Sequence, residues 1–165
     1  MNNHVCKAKD IKTGEWVSGY YVKKIDPLIC CCNYHFILCQ EYQNGSDILN
    51  SMPTWHQVKP HTLCQHIGWN DTDGIPIYEN DIVEFSVADI SYRYLVWWNR
   101  ESNMMTAVPL DGIRFNGFDY YNNFYRSYEE FCLMMINVYG DYRSIKVIGN
   151  IFDNTELMKD VHGLD

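Results

Sequence analysis

The chain has 165 residues, of which 47% are hydrophobic, and this is enough to build a core in one domain or in two small subdomains. No apolar run approaches the roughly 20 residues that cross a bilayer, and residues 1–4 do not have the pattern that begins a signal peptide. An odd count of 7 cysteines is a poor disulfide framework. The sequence therefore predicts a cytoplasmic protein. The formal net charge of −8 is concentrated after residue 68, and such an acidic surface disfavours nonspecific nucleic-acid binding.

The first half of the chain carries the pattern of extended structure. Residues 6–22 are predicted to form a hairpin with a turn at Gly14, because β-forming residues fill its second arm. The continuous apolar stretch 28–39 is typical of one or two buried strands. Residues 42–55 are predicted as a loop, and extended structure is expected to resume over 55–65.

From Asp81 onward the pattern is that of a small barrel. Short runs of β-forming residues are separated there by turn signals. These runs are 81–85, 92–98, 106–110 and 145–148. The sequence therefore predicts a mainly β protein, with an N-terminal β-rich hairpin subdomain over 1–80 and a small barrel over 81–165.

An insertion over 113–140 is predicted to interrupt the barrel. Ser127 and Glu130 have the spacing of a capping box, and apolar residues follow them at helical spacing, so this part of the insertion is predicted to be a helix. Asn154 is expected to cap a short C-terminal helix that ends at Asp160.

Two blocks of the sequence carry a family pattern. The matching residues are Gln65, Gly68, Asp71, Gly74, Ile77, Glu79, Asp81, Ile82 and Val83 in the first block, and Val147, Ile148, Gly149, Asn150, Ile151, Asn154, Glu156 and Leu157 in the second. With the opening hairpin at 14–22, these blocks make nearly the whole chain resemble the YopX family of phage and mobile-element proteins. The resemblance implies an SH3-like barrel and a mobile-element context, and it implies no particular biochemical activity.

The two blocks are also expected to meet in space. The first delivers apolar residues into the opening strand of the barrel at 82–85, and the second delivers them into the closing strand at 145–148. A small barrel must pair its terminal strands or leave an apolar edge exposed. Gly149 is expected to allow the chain to bend out of the sheet afterwards.

Cysteine and histidine residues of the first half raise the hypothesis of a metal site. Consecutive residues of a strand point to opposite faces, so the three adjacent cysteines at 30–32 cannot all reach one ion. Only His61, Cys64 and His66 form a local cluster of suitable spacing, and its remaining ligands would have to come from elsewhere. A structural role is favoured, and neither a metal nor another cofactor is predicted.

No catalytic motif occurs in the sequence. There is no Gly-framed nucleophile, no H-E-x-x-H and no glycine-rich phosphate loop. Glu79 and Asp81 would share a face of an extended strand, as a carboxylate pair requires, but acidic residues at a chain corner more often accept backbone amides. Asp71 and Asp73 are interpreted as turn formers, because a calcium-loop alignment puts non-acidic residues at obligatory ligand positions. The chain is therefore predicted not to be an enzyme.

The segment 115–131 is rich in aromatic residues separated by Asn and Gly. Tyr in particular suits interfaces that are apolar on one side and wet on the other. The binding residues that we predict are Phe118, Tyr120, Tyr121, Phe124 and Tyr125. The alternative, which the sequence leaves open, is that these rings anchor the insertion to the barrel.

The expected function is accordingly that of a non-enzymatic protein that works through protein–protein contacts, as a homo-oligomer and without membrane association. The alternative function is a nucleic-acid-associated small-barrel module, in which aromatic rings stack on single-stranded bases. That alternative requires basic side chains to gather beside the aromatic segment. The candidates are Arg93, Arg100, Arg114 and Arg126.

Overall fold

The computed structural model describes residues 5–25, 33–39, 53–87, 90–99, 104–110, 114–115, 118–119 and 145–158. These residues form antiparallel strands and two short 3-10 turns, which confirms the prediction of a mainly β protein. The chain divides into two compact units, Met1–His66 and Ile67–Asp165. Within the ranges just given, no helix is long and apolar enough to cross a membrane.

The first unit is built on one antiparallel sheet. Its strands are β1 (Val5–Lys9), β2 (Trp16–Ile25), β3 (Asn33–Cys39), β4 (Thr54–Gln57) and the start of β5 (Cys64–Asn70). They lie in the order β4-β3-β2-β1-β5, so the sequence-adjacent strands β1 to β4 are also neighbours in the sheet. Strands β1 and β2 confirm the predicted opening hairpin.

Two boundaries of the first unit differ from the sequence prediction. Strand β4 begins at Thr54, two residues inside the predicted loop, because its pairing with β3 supplies the partner that the local pattern does not reveal. The extended stretch predicted over 55–65 is interrupted by a 3-10 turn at Pro60–Thr62, which proline favours at its first position. The cysteines at 30–32 and most of the predicted loop lie outside the described residues.

The core of the first unit lies on one face of the sheet, which we call the inner face. Its buried members are Cys6, Ala8, Ile37, Cys39 and Val58, with Val17, Tyr21 and Leu63 packed against them. Alternate residues of a strand point to opposite faces, so the intervening residues form the other, outer face.

The second unit contains a four-stranded antiparallel sheet in the order β12-β7-β8-β9. Its strands are β7 (Asp81–Val87), β8 (Ile90–Asn99), β9 (Met104–Pro109) and β12 (Ile145–Asn150). The unit also contains β6 (Pro76–Tyr78), the hydrogen-bonded neighbour of β5, and a short pair formed by β10 (Arg114–Phe115) and β11 (Phe118–Asp119).

The first and last strands of this sheet along the chain, β7 and β12, pair as the sequence predicts. Val147 lies opposite Val83 and Ile145 opposite Phe85, so the two matched blocks do meet in space. Ile82 and Val83 are both buried because the sheet carries apolar clusters on both faces. One cluster contains Phe85, Tyr94, Val96 and Ala107 and receives Ile67 and Ile77, and the other contains Leu95 and Leu110 and receives the chain after β12.

The predicted C-terminal helix is a 3-10 turn over Thr155–Met158. The amide of Leu157 donates to the carbonyl of Asn154 at 3.0 Å, which is the i to i+3 pattern of a 3-10 turn. Leu157 and Met158 are partly buried and pack against the second cluster, so one short turn is enough to place them there. The helix predicted inside the insertion lies outside the described residues, as does the end of the predicted C-terminal helix.

Candidate functional site

Many of the family-pattern residues come together in the second unit, at a place that we call the motif junction. It consists of the turn 71–75, the corner 78–81 and the segment 145–154. Strand β12 brings Asn150 opposite Asp81 and Gly149 opposite Ile82, with a bulge between Val147 and Gly149. A bulge adds a residue to one strand and bends it, which turns the chain out of the sheet here.

Asp71 organises the turn 71–75. Its Oδ1 accepts hydrogen bonds from the amides of Asp73 at 2.9 Å and Ile75 at 2.8 Å, and its Oδ2 accepts one from the amide of Val147 at 3.0 Å. Gly74 has a φ of +82°, a left-handed conformation in which a side chain is strained. The carboxylate of Asp71 is thus committed to three backbone donors, which confirms its interpretation as a turn former.

The same turn is fastened to β12 by its next two residues. The amide of Thr72 donates to the carbonyl of Ile145 at 3.0 Å, and the hydroxyl of Thr72 donates to the same oxygen. Asp73 forms an ion pair with Lys146 at 3.0 Å, but both side chains are exposed, so solvent weakens that pair. The turn is therefore held to β12 mainly by the two hydrogen bonds that Thr72 donates to Ile145.

Asp81 performs a similar role at the corner. Its side chain is buried, with 0% of it exposed, and its Oδ2 accepts a hydrogen bond from the amide of Tyr78 at 2.9 Å. Asn80 has a φ of +67°, and its amide donates to the carbonyl of Val96 at 2.7 Å. Since Glu79 lies in the turn between β6 and β7, it does not share an extended strand with Asp81. The strand geometry that a carboxylate pair would need is absent at this corner.

Two asparagines close the junction. Oδ1 of Asn150 accepts hydrogen bonds from the amides of Phe152 at 2.9 Å and Asp153 at 3.0 Å, and Oδ1 of Asn154 accepts one from the amide of Asn150 at 3.2 Å. A Cβ atom on Gly149 would lie 2.5 Å from Oδ1 of Asn154. Glycine is required there because the Asn154 side chain approaches closely, whereas the sequence suggested a need for bending.

These contacts define what the junction can do chemically. Each of its principal polar side chains accepts at least one backbone amide, as side chains that form turns and chain corners do. The four side chains are those of Asp71, Asp81, Asn150 and Asn154. The arrangement joins residues 71–81 to residues 145–154, so these family-pattern residues stabilise the fold.

Cys64 and His61, which the sequence places in one local cluster, lie in different surroundings. Cys64 is buried and its thiol donates to the carbonyl of Thr62 at 3.3 Å, whereas His61 is exposed on the 3-10 turn. In the described part of the chain, no three Cys, His, Asp or Glu side chains are placed to hold a metal ion.

Sequence reasoning missed a polar pair on the inner face of the first unit. Asp10 Oδ1 accepts hydrogen bonds from the amides of Lys12 at 2.6 Å and Thr13 at 3.0 Å, and its Oδ2 lies 3.0 Å from Nδ1 of His56. The backbone hydrogen bond from Thr13, followed by the contact with His56, lowers the pKa of Asp10 below its ordinary value. An aspartate four residues before the turn glycine, Gly14, was the available signal.

A second inner-face pair joins β2 to β3. The Tyr21 hydroxyl lies 2.6 Å from Nδ1 of His35, and the two rings are stacked with centroids 5.9 Å apart. Burial, and secondarily the nearby Cys6, raises the pKa of Tyr21 above its ordinary value. The sequence gives no signal for this pair, because it depends on strand register.

The predicted binding residues are only partly described. Phe118 lies in β11, opposite Phe115 of β10, while Tyr120, Tyr121, Phe124 and Tyr125 lie outside the described residues. Elsewhere in the second unit the structure exposes large apolar side chains that sequence reasoning did not single out. These are Trp69, Ile75 and Trp97.

Comparison with protein families gives one match across nearly all of the chain. The family model described as "YopX protein" matches residues 8–159. A comparison with curated proteins found no match.

Proposed function

The chain belongs to the YopX family, and we propose that it is a non-enzymatic phage or mobile-element protein that acts through protein–protein contacts, chiefly between copies of itself. The contact surface of this proposal is the aromatic segment. Its contact residues are Phe118, Tyr120, Tyr121, Phe124 and Tyr125.

The observation that supports a contact function is the pair of exposed apolar side chains beside the Asp71 turn. Trp69 is 37% exposed and Ile75 is 49% exposed, on either side of a turn whose amides are occupied by Asp71. Because the turn is already ordered, Trp69 and Ile75 would anchor a partner with little further loss of conformational entropy on binding. Exposed apolar groups on an ordered backbone are a common feature of protein interfaces.

Within this proposal the second unit is completed as an SH3-like barrel that carries a helical insertion over 113–140. This barrel is supported by the packing of Ile67 in β5 and Ile77 in β6 against the cluster that contains Val83 and Phe85. Strands that close a barrel pack against its core in this way. Replacing residues 120–140 with a Gly-Ser linker should remove helical signal from the far-ultraviolet circular dichroism spectrum. An unchanged spectrum would contradict the helical insertion.

The proposed location is the cytoplasm. Cys6, Cys39 and Cys64 are buried and reduced, which suits a reducing compartment. Fractionation of expressing cells would test this, and recovery of the chain outside the cytoplasm would overturn it.

Size-exclusion chromatography with light scattering tests self-association. We expect an oligomer at micromolar concentration, and serine at Tyr120, Tyr121, Phe124 and Tyr125 together should shift it towards monomer with an unchanged melting temperature. Ile11→Ser, at another exposed apolar position, is the matched control and should leave the mass unchanged. A clean monomer for the unsubstituted chain would overturn the proposal, and loss of the fold in the serine variant would favour an anchoring role for these rings.

The small-barrel nucleic-acid alternative finds less support in the second unit. Arg93 lies directly opposite Glu84, which in turn lies opposite Lys146, so the signs of charge alternate across the sheet. Alternating charge gives no continuous track for phosphates. Arg100 and Arg126 lie outside the described residues, and of Arg114 the structure describes the backbone only.

A further inference from the structure

The outer face of the first unit's sheet is aromatic and basic. In an antiparallel sheet, residues directly opposite one another project from the same face. Tyr20 lies opposite Leu38, and Leu38 lies opposite Trp55, so one row of large side chains crosses β2, β3 and β4. The next row along places Val22 opposite Phe36.

Among the described residues, five aromatic residues and three lysines project from this face. The aromatic residues are Trp16, Tyr20, Tyr34, Phe36 and Trp55, and the lysines are Lys7, Lys9 and Lys24. Strand alternation normally gives the solvent side of a half-buried sheet a polar composition. Here Trp55 is 56% exposed and Tyr20 is 38% exposed, and the opposite, inner face already holds the core of the unit.

The aromatic rings are arranged in contact with one another and with the lysines. Phe36 and Trp55 meet edge to face, with centroids 6.0 Å apart. The ammonium groups of Lys7 and Lys9 lie 5.0 Å and 5.4 Å from the centre of the Trp16 ring. Such cation–π contacts orient both groups while leaving their charge in place.

Among the described residues, the charged side chains of this face are all basic. None of the described residues that project from it is acidic, although the chain as a whole is strongly acidic. The neighbouring acid Asp10 projects from the inner face, where it accepts amides and contacts His56. Glu15 belongs to the turn before β2.

We propose that this outer face binds single-stranded nucleic acid, with bases stacked on Trp55, Tyr20 and Phe36 and phosphates held by Lys7, Lys9 and Lys24. Aromatic side chains on an open sheet can stack on unpaired bases of any sequence, and lysines alongside them follow the phosphate backbone. A duplex hides the faces of its bases and offers these rings nothing to stack on. An acidic or apolar protein partner would use either the lysines or the rings, but a single strand uses both.

The inference goes beyond the contact function proposed above, since it concerns different residues in the other unit. The two can fail separately. Serine at the tyrosines of the aromatic segment should change the mass of the assembly and leave nucleic-acid binding as it was, and the reverse should hold for substitutions of the outer face.

Fluorescence anisotropy of the full chain with labelled single-stranded oligonucleotides of DNA and of RNA tests the proposal. Three phosphate contacts predict a slope of log affinity against log salt of about −2, that is, a roughly 20-fold loss of affinity between about 50 and 200 mM salt. A duplex of the same length should bind more weakly. No binding to either single strand at low salt, or stronger binding to the duplex, would overturn the proposal.

A pair of neighbouring lysines gives a matched control. Lys24 projects from the outer face and Lys23 from the inner one, and both are exposed. Lys24→Gln should weaken binding and reduce the salt slope by about 0.7, whereas Lys23→Gln, with the same change of net charge, should do neither. Equal effects of the two substitutions would show that binding depends on nonspecific charge attraction. That result would overturn the proposal that the outer face is the binding site.

Substitution of the exposed tryptophan tests stacking. Trp55→Ala should weaken binding by about 5- to 150-fold, and Trp55→Phe should retain most of it. Trp97→Ala, at an exposed tryptophan of the second unit, should leave it unchanged. If the melting temperature shows that Trp55→Ala disturbs the sheet, Tyr20→Ser takes its place, and unaltered binding in a folded variant of either kind would overturn the proposal.

Discussion

The carboxylate of Asp71 accepts a hydrogen bond from the amide of Val147, at a distance of 3.0 Å and across 76 residues of chain. The same carboxylate fixes its own turn through the amides of Asp73 and Ile75. One side chain therefore sets a local turn and joins it to the closing strand of the second unit.

Asp71→Asn should destabilise the second unit. The amide group that replaces one carboxylate oxygen brings a donor against a backbone donor, and an unmet buried donor costs about 1–3 kcal/mol. Urea unfolding followed by tryptophan fluorescence measures this change. Asp73→Asn is the control, since its exposed pair with Lys146 contributes at most about 1 kcal/mol. Equal costs for the two variants would contradict the role assigned to Asp71.

Gly149→Ala should also be destabilising, by about 1–3 kcal/mol, because its Cβ would overlap the Asn154 side chain. A double-mutant cycle identifies the cause. In a chain that already carries Asn154→Ala, the overlaps with Oδ1 and Cγ are removed and only a 3.1 Å contact with Cβ remains, so Gly149→Ala should cost less than in the unsubstituted chain. Additive costs in the thermal or urea unfolding of the four proteins would show that another contact requires the glycine.

A buried charge at the strand pair should unfold the second unit. Val83 is fully buried, whereas its partner Val147 is only partly buried. Val83→Asp should therefore cost more than about 4 kcal/mol, a large share of the 5–15 kcal/mol typical of whole domains, and Val147→Asp should cost less. Lys146→Asp, at the adjacent exposed position, is the control for an added negative charge. A Val83→Asp variant with an unchanged melting temperature would contradict the observed pairing.

The stability contributed by Asp10 should depend on pH in the acid range. Its pKa is lowered in the folded chain from an ordinary value of 3.8, chiefly by the amide of Thr13 and then by His56, so its contribution is present above that value. The contribution is lost as pH falls from 3.8 through the lower, folded pKa. The difference in unfolding free energy between the unsubstituted chain and Asp10→Asn should shrink between about pH 5 and pH 2. A difference that stays constant or grows would contradict this assignment.

Much of the second unit could be predicted from sequence because its signals are local. Asp71 and Gly74 have the spacing of a turn. The apolar runs at 82–85 and 145–148 were predicted to pair because an unpaired apolar strand would leave its edge exposed. The same reasoning favoured a corner over a carboxylate pair at Glu79 and Asp81, but it did not identify the left-handed Asn80 that separates the two strands. A single residue in that conformation is hard to recognise in a pattern.

The aromatic outer face of the first unit could not be predicted for a different reason. Tyr20, Leu38 and Trp55 are far apart along the chain, and they form a row only because β2, β3 and β4 pair in one register. A shift of one residue would send Trp55 to the inner face. The sequence therefore drew attention to the consecutive aromatic residues of 115–131, whereas the row on the sheet became apparent only with the strand pairing.

The pairing of β12 with β7 also determines the order in which the two units can fold during synthesis. All the strands that enclose the core of the first unit are complete soon after residue 64 has left the ribosome, so this unit can begin to fold early. The second unit has to wait for residues 145–150 before β7 gains its outer neighbour and Asp71 gains its distant donor. During that interval β7 is an uncovered apolar edge, the kind of surface that recruits chaperones or aggregates. Translation that stalls before Ile145 should thus produce a chain whose first unit is folded and whose second unit exposes an aggregation-prone strand edge.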